Sequence, residues 1–270
     1  MTKLIYIPMI TLLFSSCFEE RIELDLNTDN KRMVVNAWIS NLDKPQFVNL
    51  SYTTNYLGKP DVEYINNAEV NLSTASNIYS LNNSGDGNYF LPNNWIPEIG
   101  EKYTLNIVHE DETFTASQIM RPCPEIENPI LKLYEFKDID TIDLYETVFE
   151  FQEIPGEGDA YYLIDYKKGS VDGDSLFNGV FANDDFFDGE YIDDIRVSEE
   201  ERLYAVGDTV VIELLSIGKE SASFIADIES EVFRGGPFDP PPANVRSNIS
   251  NGALGYFIMA DAKSVELIVK

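Results

Sequence analysis

Cysteine, histidine and positive charge are all scarce in this chain of 270 residues. It has two cysteines, Cys17 and Cys123, and one histidine, His109. A zinc site built from clustered cysteines is therefore excluded, and at most one Ser-His-Asp arrangement could exist. Lysine and arginine total 19 against 47 aspartate and glutamate, a formal charge of −28. Nucleic-acid binding is led by neutralisation of phosphates with Lys and Arg. With no basic stripe, a nucleic-acid partner is set aside, and so is attraction to anionic lipid.

No apolar run is long enough to cross a bilayer as a helix, which takes about 20 residues. The longest runs from Leu4 to Phe14, broken by Pro8 and Thr11, after the cation Lys3 and before Ser15-Ser16-Cys17. A short apolar core followed by small residues reads as a cleavable secretory signal over residues 1–16. Leu13-Phe14-Ser15-Ser16-Cys17 has the form of a lipobox, so Cys17 is the expected lipidation site. A triacylated N-terminus would hold the protein on a membrane without help from the acidic surface. With Cys17 lipidated, Cys123 has no partner for a disulfide.

Residues 17–32 are acidic and polar and read as a solvated tether. From Met33 the pattern has period two. Met33, Val35, Ala37 and Ile39 share one phase; Ala68, Val70 and Leu72 alternate with Glu69, Asn71 and Ser73; Tyr103, Leu105 and Ile107 alternate with Thr104 and Asn106. Turn chemistry at Asp43-Lys44-Pro45, Gly58-Lys59-Pro60, Ser84 to Gly87 and Ile99-Gly100 separates these runs. Residues 33–125 are predicted to form an immunoglobulin-like or transthyretin-like β-sandwich of about seven strands. Pro122, Pro124 and Pro129 mark a break. Residues 126–270 are then a second β-rich domain, with strands expected at 147–152, 161–166, 209–217, 255–259 and 265–269. One short helix is expected near 221–233, with Phe224, Ile225, Ile228 and Val232 on one face, Ser221 as its cap and Gly235-Gly236-Pro237 as its stop.

Two stretches resemble a known family. The tether leading into Arg32-Met33-Val34-Val35-Asn36-Ala37-Trp38-Ile39-Ser40-Asn41, and the segment Phe238 to Ile249 followed by Gly252-Ala253-Leu254-Gly255-Tyr256-Phe257, are similar to the two ends of a Bacteroidota outer-membrane lipoprotein family still classed as a domain of unknown function. Members are usually encoded beside TonB-dependent receptors. The resemblance therefore implies an outer-membrane location facing the cell exterior, with such a receptor as partner. It carries no catalytic residue, metal or cofactor with it.

No constellation of residues states a reaction. The acidic and aromatic stretch Phe181 to Arg196 has oxygen ligands enough for calcium, yet lacks the Asp-x-Asp-x-Asp-Gly order and reads as a solvated loop. Asp172-Gly173-Asp174 reads as a hairpin tip. His109, ending a strand just before Glu110-Asp111-Glu112, reads as a sandwich-edge histidine beside a hairpin turn, and no Gly-x-Ser-x-Gly is present. Trp38 belongs to packing, whereas Trp95, in a Pro-rich loop, is the candidate exposed anchor. Asn244 and Asn248 are further candidate contacts, unless those amides serve only the fold. The expectation is a non-enzymatic accessory or binding component of a TonB-dependent receptor system, without cofactor. Alternatives are a carboxylate-dependent hydrolase of glycans or peptides at the cell surface, and an envelope-assembly or adhesion component.

Overall fold

The alternation in the first half places one side of each strand in a shared core, and the computed structural model shows how far that core extends. It describes residues 31–54, 62–134, 143–156, 160–168, 180–183, 187–196, 203–232 and 245–270. The chain is mainly β. Eight strands precede the proline break: β1 (Met33–Ser40), β2 (Phe47–Tyr52), β3 (Glu69–Ser73), β4 (Ile78–Ser80), β5 (Asn82–Asn83), β6 (Asn88–Phe90), β7 (Lys102–His109) and β8 (Glu112–Ile119). After it come β9 (Glu127–Leu133), β10 (Leu144–Gln152), β11 (Ala160–Lys168), β12 (Val180–Asn183), β13 (Tyr191–Arg196), β14 (Tyr204–Ala205), β15 (Thr209–Gly218), the helix α1 (Lys219–Val232) and β16 (Leu254–Ile268).

The sheet β4-β3-β7-β8 faces β1, β2 and β6 to make the first sandwich. Val35, Ile39, Leu50, Leu72, Leu105 and Ile107 are buried between the two layers. The β7–β8 hairpin closes over Glu110 and Asp111, whose φ of 47° and 64° give the doubly left-handed turn that matches strand twist. Phe257 and Met259 of the last strand also lie in this core.

That strand joins the two halves of the chain. Residues 254–260 of β16 run parallel to β1, from Val34↔Leu254 to Ser40↔Ala260. From Asp261 onward the strand pairs instead with β15, antiparallel, from Ser216↔Asp261 to Thr209↔Ile268. The two strands expected at 255–259 and 265–269 are thus one strand of 15 residues. One eight-stranded sheet, β12-β11-β15-β16-β1-β2-β6-β5, runs through both halves. Cys123, Phe149, Phe151, Tyr162, Ile212 and Leu214 form a second core. Neither the cores nor the hydrogen bonding stop at residue 125: Phe257 and Met259 fill the first core, Cys123 lies in the second, and the eight-stranded sheet spans both.

β9, β10, β13 and β14 form the sheet opposite β11 and β15. Pro129 sits inside β9, which pairs only with β10, and an edge strand tolerates the missing donor. α1 packs Phe224 and Ile225 on the outer face of β16 and β15, with the Phe224 and Tyr256 rings stacked at 4.3 Å. Two details of the predicted helix are corrected. It begins at Lys219, so Ser221 is buried in the first turn and does not cap it. Val232 lies beyond the packed stripe and is exposed. No helix among the described residues is long and apolar enough to cross a membrane.

Candidate functional site

The residues singled out from the sequence separate into those the fold consumes and those it presents. Cys17 and Asn244 lie outside the described residues, as do Asp172 to Asp174, Asp184 and Asp185. Asn248 is consumed. Its Nδ2 donates to the Phe257 carbonyl at 2.8 Å and its Oδ1 accepts from the Phe257 N–H at 2.9 Å, so the amide extends the ladder of β16 by one pseudo-residue. Asn248 thus has a role in the fold, the alternative that the sequence left open for it.

Trp95 was expected to be exposed and sits partly within the fold. The ring is half-buried, packed edge-on between Tyr79 at 6.3 Å and Tyr103 at 6.0 Å, against the first core. Its neighbour Ile96 is the exposed residue, at 81 %. Trp38 is half-buried and packs against the core beneath α1, as do Leu42 and Val245. His109 is buried with Nε2 2.8 Å from the Tyr52 hydroxyl and 3.9 Å from Glu110.

The described part of the acidic stretch is the end of β12, a turn at 187–190 and β13, where a solvated loop was expected. Asp188 accepts from the Gly156 N–H at 2.8 Å. Asp194 is held below the ordinary carboxylate range by its hydrogen bonds to Arg196 and Lys132. Among the described residues no group of three acidic, histidine or cysteine side chains is arranged to hold a metal.

Sequence reasoning missed Glu153 and Asp261, two of the three buried carboxylates among the described residues. Glu153, fully buried, accepts from the Tyr162 hydroxyl at 2.9 Å and from the Gly189 N–H. Asp261, 1 % exposed, accepts from the Cys123 N–H at 2.7 Å and from Asn41 Nδ2, while Asn41 Oδ1 accepts from the Ala262 N–H at 2.8 Å. Both carboxylates pin connecting segments to strands. The Cys123 thiol beside Asp261 is pushed up by burial and by that negative charge, so it stays protonated and unreactive. Nothing in the local sequence distinguishes these two from 45 other acids, because burial is decided by partners far along the chain.

A carboxyl group working as an acid would need a raised pKa in a concave site. Among the groups resolved, Glu229 on α1 is raised by burial. It does not line the groove of about 580 Å³ formed by Ile130, Leu131, Tyr145 and residues 266–270. Glu150 goes the other way: Tyr191 Oη and Asn128 Nδ2, each at 2.6 Å, hold it low, and the Tyr191 phenol is pushed up to about 12.

What the fold presents is the outer face of β1, β2 and β6. Period-two alternation sends Val35, Val48, Leu50 and Tyr89 inward and therefore Asn36, Trp38, Phe47, Asn49, Asn88 and Phe90 outward. In register, Asn36 lies opposite Asn49 and Asn49 opposite Asn88, a tier of three amides. The adjoining tier is aromatic: Phe47 lies opposite Phe90 with rings 5.2 Å apart. In a chain where 24 % of residues are charged, these three strands contain no charged residue.

Compared with known families, residues 19–266 match the one described as Domain of unknown function (DUF4249). No curated protein matches the chain.

Proposed function

We propose that this chain, which belongs to the DUF4249 family of unknown function, is a lipid-anchored outer-membrane protein of the cell surface that acts by binding, as an accessory component of a TonB-dependent receptor system. The observation that carries the binding part is the separation of charge from the presented face. Glu153 and Asp261 spend their oxygens on fixed donors at joints of the fold. The strands β1, β2 and β6 meanwhile turn an uncharged tier of amides and aromatics outward. Such an arrangement offers contact area and hydrogen bonds without an ionisable side chain in the tier.

The anchor is supported by Leu13-Phe14-Ser15-Ser16-Cys17, and the Bacteroidota source and the receptor by the resemblance of the two chain ends. Purification from membranes in mild detergent, with identification of co-purifying proteins, tests the whole reading. A TonB-dependent receptor is the expected partner; reproducible recovery without any outer-membrane receptor overturns it.

A further inference from the structure

We propose that the outer face of β1, β2 and β6 binds a neutral oligosaccharide. The inference rests on the binding reading above and assigns it a ligand class. A pyranose has two kinds of surface: flat faces of C–H groups carrying slight positive charge, and a rim of hydroxyls that both donate and accept. The aromatic pair of Phe47 and Phe90 offers rings whose quadrupole attracts such C–H groups. The neighbouring tier offers amides, and each amide also donates and accepts. The two tiers are adjacent on one sheet, so a sugar stacked on the rings has its rim over the amides.

The hydrogen bonds already made leave room for a ligand. Asn49 Nδ2 donates to the Asp86 carbonyl at 2.9 Å and to Asn88 Oδ1 at 2.8 Å, which orients both amides. Asn36 is exposed, and among the described residues its amide has no partner. One member of the tier is thus free and two are held in place, the pre-organisation that limits the entropy cost of binding.

Other ligand classes fit less well. An anionic ligand approaches a molecule of charge −28 against repulsion. A cationic one finds no carboxylate on these strands. An apolar protein surface docked here would bury the amide tier with its polar groups unpaired.

The test is calorimetric titration of the detergent-solubilised full chain with neutral hexasaccharides of α-linked glucose, β-linked glucose, β-linked mannose and β-linked xylose, at low and high salt. At least one is expected to bind with a Kd of about 10 µM to 1 mM, with little dependence on salt because the ligand carries no charge. Asn36→Ala and Phe90→Ala are expected to weaken it tenfold or more. Asn36→Ala, on an exposed amide, should leave the melting temperature unchanged and so excludes misfolding as the cause. Absence of saturable heat from every sugar overturns the proposal, and so does binding that both variants leave intact. Should the sugars be silent while the variants lose a co-purifying receptor, the face is a protein interface: the accessory reading stands and this one falls. Should sugar bind while no receptor is ever recovered, the accessory reading falls and this one stands.

Discussion

Among the described glycines, Gly255 has the least room for a side chain. It lies in β16 at φ 87°, and a Cβ there would come 2.0 Å from the carbonyl oxygen of Val35. That oxygen belongs to strand backbone and cannot swing away. Gly255→Ala is expected to destabilise the protein by about 2–4 kcal/mol, read as a drop in the urea midpoint. Asp261→Ala leaves the Cys123 N–H and the Asn41 amide without their acceptor in a buried place. The expected loss is about 2–4 kcal/mol, measured the same way. On the surface, Asp227 holds Arg246 through Nε at 2.5 Å and Nη2 at 3.1 Å, and its carboxyl lies below the usual range because of that contact. A carboxylate whose folded pKa is depressed stabilises above its unfolded value and loses that contribution as pH falls through the folded one. Asp227→Asn is therefore expected to cost up to about 0.5 kcal/mol at pH 7, since exposure screens the pair. The difference from the wild type should disappear at pH values beneath the ordinary carboxylate range, which a melting series against pH will show. The sequence made Gly255 and Asn248 visible as members of one motif. Only the pairing of β16 with β1, and of Asn248 with Phe257, gives them their reasons.

Among the elements, β16 is decisive. Its first half completes the core of the first sandwich with Phe257 and Met259, and its second half closes the sheet of the other with β15. Loss of β16 therefore removes a wall from both. A chain ending at residue 247 is expected to lose cooperative folding throughout, read as the absence of dispersed methyl signals from residues before 125 as well as after. Persistence of a folded first sandwich would show that β16 is dispensable there. The apolar alternation of β16 is interrupted by Ala260-Asp261-Ala262-Lys263, which is why the pattern alone reads as two strands. The interruption is the place where the strand changes partners, with Asp261 buried to hold the linker. β12 and β13 escaped notice for a related reason. β12 has only four residues and β13 carries two adjacent aspartates, so the strand character of each comes from pairing, with β11 and β10 respectively.

For the molecule as a whole, attachment and binding are expected to be separable. Cys17→Ala should release the protein from the membrane fraction, since an acidic body has no electrostatic hold on anionic lipid; continued sedimentation with membranes would sink the lipid-anchor proposal. The released protein should keep its melting temperature, because Cys17 lies outside the unit formed by residues 31–270. Much about this protein is written locally in its sequence. Alternation with turn residues determines that it is β, composition determines that it is acidic, and the h-region with its cysteine suggests the anchor. These are properties of neighbours in the chain, and a period of two needs only a few residues to express itself. The tertiary structure alone decided three things: that one strand serves both sandwiches, that Trp95 is floor and Ile96 surface, and that Asn36, Asn49 and Asn88 stand in one row beside Phe47 and Phe90. Each depends on contacts between residues tens to hundreds of positions apart. Register across strands is set by the fit of the whole core, which no short window of sequence contains.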